Sequence, residues 1–207
     1  MALSLPVVWP GFMSPAAAHP HVFILARSEL IYDNAGRLTA VKHHWTFDEA
    51  FSSFAVQGLD SKKDGTYTRE DLADLAKTNV ESLAEFDYFS FGKALGRKLQ
   101  FTDPQDYWLD YGHNKLKLNF TLSLREPVPG RTVTFEVYDP TYYVAFTFNG
   151  PDAVSLVGAP QGCRVSMKEP PKFDTGSTNV SEDFFNQLSA SADFGANFAT
   201  HALIVCP

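Results

Sequence analysis

Two histidines near the start of the chain have the types and spacing of transition-metal ligands. The sequence reads His19-Pro20-His21 directly after an apolar leader. If a signal peptidase cuts before His19, its free α-amino group joins two imidazoles, and nitrogen ligands of this kind suit Zn, Cu or Ni. Pro20 has no backbone N–H, which excludes the square-planar chelate that needs a deprotonated amide at residue two. Any metal must therefore recruit ligands from the rest of the fold.

A β-hairpin is expected to supply them. Residues 21–32 and 38–47 are β-rich and flank the turn sequence Asp33–Gly36. Pairing Tyr32 with Arg37 sets the register of the two strands.

This register places His21 opposite Asp48, with Glu49 next to it. His43 faces Ala26, roughly 16 Å along the strand from the His21 pair, and joins the site only if the chain bends. The predicted metal ligands are His19, His21, Asp48, Glu49 and, with that condition, His43.

His43 also has a purely structural interpretation. Two-residue periodicity puts it on the same strand face as Trp45 and Phe47, and it puts His44 on the opposite face. A histidine on an apolar strand face is more often a hydrogen-bonded core residue than a ligand.

Residues 60–71 follow the twelve-residue plan of an EF-hand loop, with Asp at the first and fifth positions and Gly at the sixth. Lys62 puts a positive charge where the third position needs an oxygen ligand. Asp71 replaces the longer Glu of the twelfth position and resembles, with Thr68, a helix capping box. We predict a degenerate loop without calcium; its would-be ligands are Asp60, Asp64 and Asp71.

The N-terminal segment predicts export. Residues 1–18 are uncharged and mostly apolar, and they end in small residues before a cleavage point after Ala18. We therefore expect a signal peptide at 1–18 and one β-rich periplasmic domain at 19–207.

In an oxidising compartment Cys163 and Cys206 are expected to pair, which stabilises the fold by about 4 kcal/mol and fixes the C-terminal strand. A redox-active pair is the weaker alternative, because there is no Cys-x-x-Cys.

Composition and patterning set the class of protein. The chain has 207 residues, a net charge of −7 and two cysteines. An acidic chain lacks the basic face of a nucleic-acid binder, and two cysteines cannot form a four-cysteine zinc site.

Strand-like segments dominate after a helical insertion near 48–86, a further helix is predicted at 181–190 and a closing strand at 201–206. The predicted fold is α+β, a mainly antiparallel β-sandwich-like domain, without a transmembrane segment in the mature chain.

Several motifs together resemble a known family. They lie at residues 19–23, 43–51, 54–60, 85–89, 138–140 and 206–207. On these stretches the chain resembles a bacterial periplasmic family, domain of unknown function 1007, whose members are often labelled "ABC-type uncharacterised transport system, periplasmic component". Some members neighbour or are fused to nickel/cobalt-type permeases, so the resemblance implies metal handling with an inner-membrane permease as partner.

Three functions remain open on the sequence. The first is a periplasmic transition-metal-binding protein that serves a nickel, cobalt or zinc permease. The second is a non-catalytic interaction or scaffold domain of a transport system. The third is a copper-dependent oxidoreductase with an N-terminal histidine brace. The chain carries no His-Glu-x-x-His, Gly-x-Ser-x-Gly, phosphate-loop or dinucleotide motif, so an enzyme is not expected.

Overall fold

Two β-sheets pack against each other in the computed structural model, which describes residues 20–59, 64–148, 150, 152–170 and 193–207. The strands are β1 Val22–Tyr32, β2 Arg37–Phe47, β3 Ser90–Ala94, β4 Arg97–Lys98, β5 Tyr107–Gly112, β6 Lys115–Pro129, β7 Thr132–Val137, β8 Val144–Phe148, β9 Val154–Val157, β10 Arg164–Lys168 and β11 His201–Val205. The helices are α1 Glu49–Ala55 and α2 Ala73–Leu83, and short 3-10 segments cover Ala84–Phe89 and Phe194–Phe198.

The sheets share one hydrophobic core. The first sheet has the order β5-β6-β2-β1-β8, with β9 also pairing with β1, and the second has the order β10-β11-β7-β3-β4. Inward-facing residues of both sheets, such as Trp45, Phe120 and Phe135, belong to one buried cluster. The α+β prediction with a helical insertion is confirmed. The sheets are mainly antiparallel, but β8 and β9 both run parallel to β1.

The predicted hairpin forms, but its predicted register is wrong. His43 pairs with Ser28 rather than Ala26. The turn shifts the register by one residue, since Tyr32 pairs with Leu38, and a bulge between Ile31 and Tyr32 shifts it by another. A shift of two residues preserves which face each side chain occupies, so the predicted separation of His43 and His44 onto opposite faces holds.

The helical insertion forms near residues 48–86 as predicted, but its second helix is shorter than the pattern indicates. Asp48 caps α1, and the Thr68–Asp71 capping box forms: the backbone N–H of Thr68 donates to Asp71 Oδ2 at 2.9 Å, and that of Asp71 donates to Thr68 Oγ1 at 3.2 Å. The second helix nevertheless ends at Leu83 rather than Phe86, because the last three residues of the 3-10 segment that follows it, residues 87–89, have positive φ of 52°, 53° and 48°.

The C-terminal strand is fixed as predicted. Cys163 and Cys206 form a disulfide, and β11 lies between β10 and β7. The sequence did not predict β9 and β10, which are four and five residues long. The predicted helix at 181–190 and the predicted signal peptide lie outside the described residues. No helix within the described residues is both long and apolar enough to cross a membrane.

Candidate metal site and the histidines around it

His21 lies at the exposed N-terminal end of the first sheet, immediately before β1. Its backbone N–H donates to the Tyr143 carbonyl at 2.9 Å. Its ring lies beside the Tyr143 ring, with 4.8 Å between the ring centroids. The backbone of His21 is therefore positioned by the loop that leads into β8.

Asp139 shapes that loop. Its Oδ1 accepts from the Thr141 backbone N–H at 2.8 Å, and its Oδ2 accepts from the Val144 backbone N–H at 3.0 Å. Asp139 is buried, and buried carboxylates need such partners. In the sequence, residues 138–140 are one of the stretches that resemble the family, and no structural role was predicted for Asp139. The Asp-x-Thr spacing, typical of a local Asx turn, is the signal that would have revealed its role.

Asp48 joins the start of β1 to the start of α1. Its Oδ2 accepts from the Phe23 N–H and its Oδ1 from the Phe51 N–H, both at 2.9 Å. Burial raises the pKa of this carboxyl, but the backbone donors outweigh burial and hold the pKa below its ordinary value. The Asp48 N–H in turn donates to the Phe23 carbonyl at 2.9 Å. Asp48 thus faces Phe23 and not His21, which corrects the predicted pairing by two residues.

Glu49 is exposed and directly follows Asp48 in the chain. Its one ion pair among the described residues is with Lys115, at 3.8 Å between Oε1 and Nζ, a surface contact of little energetic weight. The structure thus brings His21, Asp48 and Glu49 to the same end of the first sheet, which we call the His21 corner. His19 lies outside the described residues, and within the described ranges no three or more His, Cys, Asp or Glu side chains form a group that could hold a metal ion.

His43 is completely buried between the two sheets. Its Nδ1 lies 3.1 Å from Ser28 Oγ in β1, and its Nε2 lies 3.1 Å from Ser90 Oγ in β3. Because Ser90 Oγ donates its proton to the Tyr88 carbonyl at 2.8 Å, it accepts from His43 Nε2–H. His43 Nδ1 then accepts from Ser28, so every polar atom of the ring has a partner.

The surroundings of His43 keep it neutral. Its ring stacks on Phe120 at 4.8 Å and meets Trp45 edge-on at 5.2 Å, between ring centroids. Burial, with a smaller contribution from the charge of His44, lowers the pKa of His43 to about 3. The structure therefore places His43 apart from the His21 corner and links it to both sheets.

His44 lies on the outer face of the first sheet in a polar network. Its Nδ1 lies 2.7 Å from Asn119 Oδ1, and Asn119 Nδ2 donates to Asp110 Oδ2 at 3.0 Å. Its Nε2 lies 3.6 Å from Glu29 Oε1. The two-residue alternation predicted this face for His44. It could not predict the other members of the network, because Glu29, Asp110 and Asn119 lie on three other strands.

The loop before α2 is attached to the same network. Arg69 Nε donates to Asp110 Oδ1 at 2.8 Å. Burial raises the pKa of Asp110, but the donors Arg69, Trp108 and Asn119 hold it below its ordinary value. The Arg69 guanidinium also lies 4.8 Å from the Trp108 ring centroid. These contacts attach the helical insertion to the edge of the sheet.

The calcium-like loop is described only in part, because Asp60 lies outside the described residues. Asp64 Oδ1 accepts from the backbone N–H and the hydroxyl of Thr66, at 2.9 and 2.6 Å. Asp71 serves the capping box described above. The contacts seen for these two carboxylates are those of a turn and a helix cap.

The fold is a two-sheet α+β domain with His21, Asp48 and Glu49 at one end of the first sheet and a buried histidine between the sheets. Residues 5–206 match the family described as "Protein of unknown function (DUF1007)". The chain belongs to this family. It is also 28% identical over 193 residues to an "Uncharacterized protein" of Haemophilus influenzae, a match that covers 91% of both chains.

Proposed function

We propose that this protein binds one divalent transition metal ion, Zn, Cu or Ni, at the N-terminal end of β1. The observation that carries the proposal is the exposed His21 imidazole at the same end of the sheet as the carboxylates of Asp48 and Glu49. Imidazole and carboxylate are established partners for these ions. His19 lies two positions before His21 and supplies a second imidazole.

The local backbone is suited to a preorganised site. The His21 N–H is bound by Tyr143, and the Phe23 N–H by Asp48. A ligand that is already positioned loses less conformational entropy when the metal binds. Among the described residues the ion-pair partner of Glu49 is the surface Lys115, so its carboxylate can turn toward a metal at small cost.

We further propose that the protein works in the periplasm beside an inner-membrane metal permease. The disulfide between Cys163 and Cys206 supports an oxidising compartment. The permease as partner rests on the family resemblance and on the metal ligands at the His21 corner.

Equilibrium dialysis of protein purified from the periplasm, with its N-terminus sequenced, tests the metal site. We expect one equivalent of Zn, Cu or Ni in the wild type and loss of that equivalent in the His19→Ala/His21→Ala double variant. His201→Gln is the matched control, since His201 lies on the second sheet and pairs with Glu136. Unchanged metal stoichiometry in the double variant would refute the proposal. Oxygen consumption by copper-loaded protein with a reductant would favour the oxidoreductase alternative.

A second candidate function is an interaction domain. On the outer face of β1, Phe23 is 55% and Leu25 43% exposed, and the nearby Tyr143 is 48% exposed. Clustered exposed apolar side chains of this kind mark protein-contact surfaces. Under this alternative, metal-free protein co-purifies with the permease, and Phe23→Ser/Leu25→Ser abolishes that association while metal binding is unaffected.

A further inference from the structure

A cleft opens beside β3 where the chain leaves the second sheet for the first. The Leu99 N–H still donates to the Gly92 carbonyl at 2.9 Å, but Phe101 already bridges to Leu124 in β6. Gly92 permits this crossing, because a Cβ there would lie 2.8 Å from Leu99 Cδ1 and 2.7 Å from the Thr134 carbonyl oxygen. The cleft has a volume of about 730 Å³, within the range of small-molecule sites.

Three cationic side chains line the cleft: Lys93, Lys98 and Arg125. Lys93 and Lys98 are directly opposite each other in the β3–β4 pair. Like charges in this cross-strand position destabilise a sheet. The backbone N–H of Arg125 donates to the Gln100 carbonyl at 2.9 Å and its side-chain Nε donates to the Phe101 carbonyl at 3.2 Å, so Arg125 is attached to the crossing segment. An anion between these side chains would relieve their repulsion.

The cleft lining carries three carboxylates as well as three cations, and two of the carboxylates have partners of their own. Glu136 Oε1 lies 2.8 Å from His201 Nδ1, and Asp193 Oδ2 accepts from the Tyr138 hydroxyl at 3.3 Å. Asp87 is the third carboxylate in the lining. None of the ion pairs formed within the described residues involves one of the three cations. The three cations lie toward β4 and the crossing segment, whereas Glu136 and Asp193 are engaged by His201 of β11 and by Tyr138.

An aromatic wall completes the cleft. Phe91 and Tyr138 both line it, and their rings are in tilted contact with 4.4 Å between centroids. Such a pair offers an apolar surface beside the charged side chains. A ligand that matches both features carries an anionic group on an aromatic or other apolar body.

We propose that this cleft binds a small organic anion through Lys93, Lys98 and Arg125, with its apolar body against Phe91 and Tyr138. Charge-assisted hydrogen bonds from Lys and Arg are the usual means of holding carboxylate and phosphate groups. The site is separate from the His21 corner and does not depend on the proposed metal function. The competing explanation is that lysines on the short edge strand β4 only prevent pairing with other chains.

Titration of the full protein with phenyl phosphate and with benzoate, followed by amide NMR at low salt, tests the proposal and distinguishes the two anionic groups. We expect saturable shifts of the Gly92 and Gln100 amides with at least one probe. Lys98→Met should weaken binding by about tenfold, because it removes one charge-assisted hydrogen bond. Arg164→Met removes one charge from the same sheet outside the cleft and should leave the affinity unchanged.

Thermal unfolding supplies a second readout. Without a probe, Lys98→Met should be at least as stable as the wild type, because the Lys93–Lys98 repulsion is gone. With a probe, the wild type should gain stability by mass action and Lys98→Met should gain much less. No saturable shift with either probe at millimolar concentration, or equal weakening by Arg164→Met, would overturn the proposal.

Discussion

His21 and His43 belong to one hairpin but occupy opposite physical environments. His21 is exposed at the end of the first sheet, whereas His43 is 0% exposed between the sheets with a serine hydroxyl at each ring nitrogen. The sequence suggested both as metal ligands, His43 only on condition that the chain bends toward His21. The comparison shows that desolvation and neighbouring groups decide what an imidazole can do: the buried ring serves the fold, and the exposed ring is accessible to an ion.

The largest expected effect is the loss of the buried imidazole. We expect His43→Ala to lower the free energy of unfolding by about 4 kcal/mol, since it creates a cavity and removes the hydrogen-bond partner of the buried Ser28 hydroxyl. Urea denaturation followed by circular dichroism measures this loss. His21→Ala is the matched control and should change stability by less than about 0.5 kcal/mol. Similar losses in the two variants would contradict the conclusion that His43, and not His21, stabilises the fold.

The disulfide is the next largest contribution. We expect Cys163→Ser/Cys206→Ser to lower the free energy of unfolding by up to about 4 kcal/mol, because the closed loop restricts the unfolded chain. The same urea experiment, on the wild type with and without reductant, measures the effect. If reductant destabilises the double variant as much as the wild type, the loss does not come from this bond.

Acid pH should destabilise the fold through His43. Burial lowers the pKa of His43 from 6.5 to about 3 in the native state. Between about pH 3 and pH 6.5, the His43 ring is therefore protonated only in the unfolded chain. Stability is therefore complete above pH 6.5 and falls below it, approaching about 1.4 kcal/mol per pH unit. Between pH 6.5 and pH 5 the loss is about 1.5 kcal/mol by the same relation. Urea midpoints across this range measure it, and the loss should disappear in His43→Gln. The same pH dependence in His43→Gln would assign the effect to other groups.

The smallest effect concerns the corner of the proposed metal site. Asp48→Ala removes the cap of α1 and the partner of the Phe23 N–H, and should cost about 1 kcal/mol. Asp48→Asn keeps an acceptor oxygen and should lose less. Thermal unfolding compares the two variants. Equal losses would mean that the carboxylate charge, rather than the hydrogen bonds, stabilises this corner.

Local patterns in the sequence predicted much of the fold around these histidines. Two-residue alternation assigned His43 and His44 to opposite faces, and the spacing of Thr68 and Asp71 predicted their capping box. The register was not predictable, because the turn and the bulge each add a residue that leaves no clear mark in the sequence. Ser90 could not be identified as a partner, because it lies on the other sheet, 47 positions from His43.

The central claim is that a metal binds at His21 and not at His43. Nitrogen NMR of the histidine side chains during Zn²⁺ titration tests it most directly, because each ring reports separately. We predict that the His21 ring resonances shift until about one equivalent has been added and that His43 keeps the spectrum of a neutral ring protonated at Nε2. Zinc-dependent shifts of His43 with an unchanged His21 would contradict the account.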